Sequence, residues 1–96
     1  MPEMTFQVRW PDGRTQRCYS PSLVMHDYLS VGAEYSVSDF LDRSATALTE
    51  ASERVRAKFG FACTSAAETN ARIVSAAAHF DPTATVTVVS MHPESL

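Results

Sequence analysis

The 96 residues are 45% hydrophobic and 20% charged with a net charge of −3, the composition of one globular domain, residues 1–96, large enough for a single core. That balance argues against a nucleic-acid partner and against anionic membrane surfaces, which both ask for a basic face, and no apolar run approaches the ~18 residues that span a bilayer. The opening MPEMTFQVRW has no basic segment followed by an apolar stretch, so no secretory signal is expected and the cytoplasm is the expected compartment. Cys18 and Cys63 lie far apart and outside any CxxC, which predicts free thiols there.

The first element is a strand. In MTFQVRW, Met4, Phe6, Val8 and Trp10 alternate with Thr5, Gln7 and Arg9, the period of a half-buried strand. WPDGR follows with Pro, Asp and Gly spaced for a type I turn closed by a glycine bulge. The return strand, residues 14–20, then pairs Trp10 with Arg14, Val8 with Gln16 and Phe6 with Cys18. This register puts Cys18 on the apolar face as a structural thiol and leaves Arg17 opposite Gln7 in solvent. A two-residue loop would flip the second strand and bury Arg17.

CYSPSLVMHDYL comes next. Ser20 before Pro21 reads as an N-cap and first helical residue. At 100° per residue Val24, Met25, Tyr28, Leu29 and Val31 share one face, His26, Asp27 and Ser30 the other, and Gly32 stands at a helix stop. The pattern predicts a short helix over 21–31, with a strand as the alternative. EYSVSDF then opens a long helix: Ser36 and Asp39 form a capping box, Tyr35 and Phe40 a hydrophobic staple. Phe40, Leu41, Ser44, Leu48, Ala51, Val55 and Phe59 make its buried stripe, and Glu50 and Arg54 are spaced for an ion pair. Arg54, Arg56 and Lys58 suit the negative end of the helix dipole; Gly60 ends the helix, with Phe61 folding back on Val55. A second capping box, Ser65 and Glu68, predicts another helix packed through a small-residue face of Ala67, Ala71, Val74 and Ala78, flanked by Ile73 and Ala77. His79 falls in its last turn and Asp81-Pro82 stops it. ATVTVVSM, residues 84–91, reads as a strand and residues 92–96 as a frayed tail. The expected fold is α+β: a two-layer sandwich in the order ββαααβ, with three helices on one face of a three-stranded sheet.

Reactive residue types concentrate in residues 18–29. Ser20, Ser22, His26 and Asp27 have the side chains of a hydrolytic triad, but adjacent His26 and Asp27 diverge on a helix, and capping plus solvation explains all four. The start of that helix, Ser20 and Ser22 with His26 nearby, is instead a candidate anion or ligand site, to which Arg14, Arg17 or Arg43 would add charge. Cys63, just before a helix start, is the weak catalytic candidate, since a helix dipole lowers a thiol pKa; the simpler reading is a small buried hydrophobe. Cys18, Cys63, His26, His79 and His92 lack metal-ligand spacing, so no metal and no cofactor is expected. Two open sheet edges make a homodimer plausible.

The stretches VRWPDG, CYSPSLV, DYL, VGAEYSVSDF and ALTEASERVRAKFGFACTSA, spanning about residues 8 to 67, resemble a small bacterial family of nitrogen starvation response proteins. The resemblance implies genes beside a nitrilase-class carbon–nitrogen hydrolase and hence nitrile- or cyanide-linked nitrogen metabolism, with the cluster's enzymes as candidate partners. It implies no catalytic residues. The expectation is a non-catalytic accessory protein, with a small-molecule or anion binder, or a thiol enzyme or redox sensor at Cys63, as alternatives.

Overall fold

A computed structural model describes residues 3–60 and 64–94. The elements run β1 (Met4–Arg9), β2 (Thr15–Ser20), a 3-10 helix (Leu23–Asp27), β3 (Glu34–Ser36), α1 (Val37–Phe59), α2 (Thr64–Ala77) and β4 (Thr85–His92). All strand pairings are antiparallel and the sheet order is β2-β1-β4-β3.

The first hairpin forms as the alternation predicts. Phe6 pairs with Cys18, Gln7 with Arg17 and Val8 with Gln16. The turn closes with the Trp10 N–H donating to the Arg14 carbonyl at 2.8 Å, and Gly13 takes a φ of 90°, a left-handed conformation that costs glycine nothing. Met4, Phe6, Val8, Cys18, Val86, Val88 and Met91 are buried on one sheet face, where α1 and α2 pack over them. The buried positions of β4 break strict alternation because the ladder with β1 shifts: Gln7 pairs with Ser90 but Val8 with Val88. This bulge resets the side-chain phase, so Val88 and Met91 both face the core.

The sheet has four strands, not three. After Gly32, also left-handed at φ 83°, the chain turns along β4: the Gly32 N–H donates to the Val88 carbonyl, and the Val88 N–H to the Ala33 carbonyl. Residues 34–36 then pair with Thr87, Val86 and Thr85. The added strand is only three residues long and runs straight into α1, so its residues read as a helix cap in sequence. They serve both roles: the Ser36 hydroxyl accepts from the Asp39 N–H at 3.0 Å.

The predicted 21–31 helix contracts to five 3-10 residues capped by Ser22 rather than Ser20. The Ser20 hydroxyl donates to the Ser22 carbonyl and accepts the Ser22 N–H, a local side-chain turn that holds Pro21 outside the helix. Val24, Met25 and Leu29 are buried as expected, but Val31 is 51% exposed because the helix has ended before it. The order is therefore β-hairpin, 3-10 turn, short strand, two α-helices and a final strand, in place of ββαααβ.

α1 follows its predicted stripe through Val55 and ends at Gly60 (φ 82°), whose N–H donates to the Arg56 carbonyl; Phe59 is exposed. The expected contact of Phe61 with Val55 lies outside the described residues. α2 is turned about one residue from the predicted face. Its buried seam is Ala66, Thr69, Ile73 and Ala77, while Ala67, Ala71 and Ala78 face outward and Val74 is 50% exposed. Ser65 lies within the helix rather than before it. His79 sits beyond the last helical residue, in a turn. His92 is the last residue of β4, and the Pro93 carbonyl accepts from His26 Nε2 at 2.8 Å, so the segment predicted to fray is held there.

Candidate functional site

The first connecting segment is held together by its own polar groups. Ser20 and Ser22 are both buried. The Ser20 hydroxyl is engaged with Ser22, and the Ser22 oxygen accepts from the Val24 N–H at 3.3 Å. His26 Nε2 is bonded to the Pro93 carbonyl at 2.8 Å, so all three candidates have polar groups engaged within the protein. Arg43, one of the cations considered for an anion there, bonds to the Asp39 carboxylate at 2.9 Å and to the Tyr28 carbonyl at 3.1 Å, and its guanidinium stacks over Tyr35. Tyr28 donates to Glu50 at 2.9 Å. These bonds tie the segment to α1.

Cys18 is buried in the hairpin, and desolvation pushes its thiol up to about 12, with the Arg72 charge pulling weakly the other way. At neutral pH it carries its proton and is a poor nucleophile. Cys63 lies outside the described residues. Among the described residues no group of His, Cys, Asp and Glu is arranged to hold a metal ion, and no helix is long and apolar enough to cross a membrane.

A different part of the molecule offers a cleft. Trp10, at the end of β1, is stacked on Phe80 with ring centroids 5.7 Å apart and meets Phe40 edge-on at 5.6 Å. Its indole N–H donates to Gln16 Oε1 at 2.9 Å. Above this aromatic floor lies a cavity of about 490 Å³ between the β1–β2 turn and the end of α2, with Asp12, Arg14, Gln16 and His79 among its walls. Because an indole only donates, Gln16 must present its oxygen to Trp10, which leaves the Gln16 amide NH₂ to donate elsewhere. Asp12 braces the turn: its carboxylate accepts the Arg14 N–H at 3.0 Å and faces the Arg14 guanidinium at 3.4 Å. The polar walls of the cleft are the Gln16 amide, the Arg14–Asp12 pair, the Thr15 hydroxyl and the His79 ring, and Phe80 is its aromatic wall, stacked over Trp10, which is 4% exposed.

The alternation of β1 reads Trp10 as a core or edge-packing residue, and Trp10 is buried; the pattern left Gln16 and Phe80 without a role. One signal was available. The hairpin register puts Gln16 on the apolar face of β2, where a polar side chain needs a partner, and Trp10 is the donor at hand.

No curated protein and no solved structure matches this sequence. The model of the nitrogen starvation-induced protein NitG family matches residues 5–91, nearly the whole of the fold described above, and the chain belongs to that family.

Proposed function

We propose that the protein is a non-catalytic accessory protein of nitrogen-starvation metabolism that works by binding a small polar ligand in the Trp10–Phe80 cleft. The observation that carries this reading is the stacked Trp10–Phe80 pair beside a wall of polar side chains. Small-molecule sites have this character: an apolar concavity with a few placed polar groups. Its volume suits a single flat ring with a polar substituent. The Arg14 guanidinium and the free Gln16 NH₂ are the donors that would take the oxygens of a carboxylate or an amide. Nitriles, the corresponding amides and the carboxylates formed from them by nitrilase-type enzymes make the natural ligand series, and such enzymes are the proposed partners. Family membership supports the metabolic setting, and the cleft supports the binding role.

Trp10 is the only tryptophan in the chain, so its fluorescence reads the cleft directly. The test is titration with three ligands on one ring, pyridine-3-carboxylate, pyridine-3-carboxamide and pyridine-3-carbonitrile. Saturable quenching is expected with the first two and a weaker response with the nitrile. Arg14→Ala should weaken carboxylate binding roughly tenfold, the loss of one charge-assisted bond. A flat response across the series, with no thermal shift, removes the proposal.

A further inference from the structure

The two edges of the sheet differ. β3 exposes only three residues, and short edge strands resist pairing. β2 exposes six, Thr15–Ser20, with neither proline nor bulge. The ladder fixes which backbone groups face outward. The bond from Trp10 to the Arg14 carbonyl makes Arg14 and every second residue after it turn toward β1. Thr15, Arg17 and Tyr19 therefore turn their N–H and C=O groups away from β1. Their side chains share the sheet face opposite the helices.

That face carries complementary charge in a pattern that fits a second copy of the chain. The Tyr19 hydroxyl donates to the Glu3 carboxylate at 3.0 Å, so a negative charge is held at one end of β2. Arg17, two residues back along the strand, is exposed and belongs to none of the ion pairs among the described residues. In-register antiparallel pairing of two β2 strands sets Arg17 against the other Arg17, which is repulsive. Shifting the pairing so that Arg17 lies opposite the second copy's Tyr19 brings the guanidinium to that tyrosine ring and to the Glu3 carboxylate it holds. Two-fold symmetry makes the contact twice.

We propose that the protein forms a homodimer through antiparallel β2–β2 pairing, joining two four-stranded sheets into one, with reciprocal Arg17–Glu3 contacts setting the register. The proposal is independent of the ligand cleft. Sedimentation of the full chain over a concentration series tests it, with circular dichroism as the check on folding. The wild type should sediment as a dimer. Arg17→Glu, which sets like charge against Glu3, should raise the dissociation constant by roughly tenfold or more. Combining it with Glu3→Arg should restore the dimer by exchanging the charges. Should Arg17→Glu not fold, Glu3→Arg alone, at an exposed position ahead of β1, predicts the same loss. A wild type that is monomeric at every concentration, or charge variants that dimerise as the wild type does, overturns it.

Discussion

Cys18 is placed where ionising it costs most. Its sulfur lies under the helices with 3% of the residue exposed, and desolvation raises the thiol from 9.0 to about 12. The folded pKa is above the unfolded one, so the neutral thiol's contribution is complete below about pH 9. It is lost as pH rises toward the folded value, because only the unfolded chain releases the proton. Each pH unit in that window costs up to ~1.4 kcal/mol for one group. Urea denaturation at about pH 8 and about pH 10 should show the wild type losing roughly 1 kcal/mol more than Cys18→Ala does over the same interval. Parallel losses in the two proteins would mean that the thiol titrates as it would in water. The same burial predicts that Cys18 resists alkylation until the chain unfolds.

At the scale of elements, the hairpin and α2 differ in how much of their packing was legible. β1 alternates large apolar and polar residues, so a one-residue slip would bury Arg17, and the pattern admits only one register. α2 has no such contrast. Alanines lie on every side of it, and the turn of the helix that meets α1 includes Thr69 and Asn70, polar residues that a hydrophobic stripe does not pick out. β3 was hidden for another reason: three residues give too little alternation, and the partners that recruit them, Thr85, Val86 and Thr87, are distant in sequence. The misread face of α2 also leaves an unmet cost. Asn70 Oδ1 is buried with no hydrogen-bond partner among the described residues, against a cavity of about 230 Å³ between α1 and α2. A buried acceptor left unpaired costs about 1–3 kcal/mol, and alanine is the better helix former. Asn70→Ala should therefore stabilise the fold by about 1 kcal/mol in thermal or urea denaturation. A loss of stability instead would show that the amide is satisfied in solution, most simply by a water in that cavity.

For the molecule as a whole, the sheet order decides what opens first. β1 and β4 lie at the centre, each paired on both sides, and supply Phe6, Val8, Val86, Val88 and Met91 to the core. The 3-10 segment is held by local bonds and by reach-across contacts, Tyr28 to Glu50 and His26 to Pro93. The cleft has the same divided character. Trp10 and Gln16 follow from the hairpin register, but Phe80 and His79 arrive from the far end of α2, a juxtaposition that no local pattern specifies. Local openings should therefore expose the 3-10 segment and the turn after α2 well before the central strands. In hydrogen exchange, ladder amides of β1 and β4 should be the last to exchange, and those of Leu23–Asp27 should go earlier. Comparable protection across both would mean that the molecule opens only as a unit. The same measurement bears on the sheet edge. The Thr15 and Arg17 amides point away from β1 and have no ladder bond within one copy. They should exchange rapidly when the chain is dilute and slow as concentration rises, if β2 pairs with β2. Protection of Gln16 and Cys18, whose amides turn toward β1, should not depend on concentration. Alternate residues along one strand would then separate assembly from folding in a single experiment.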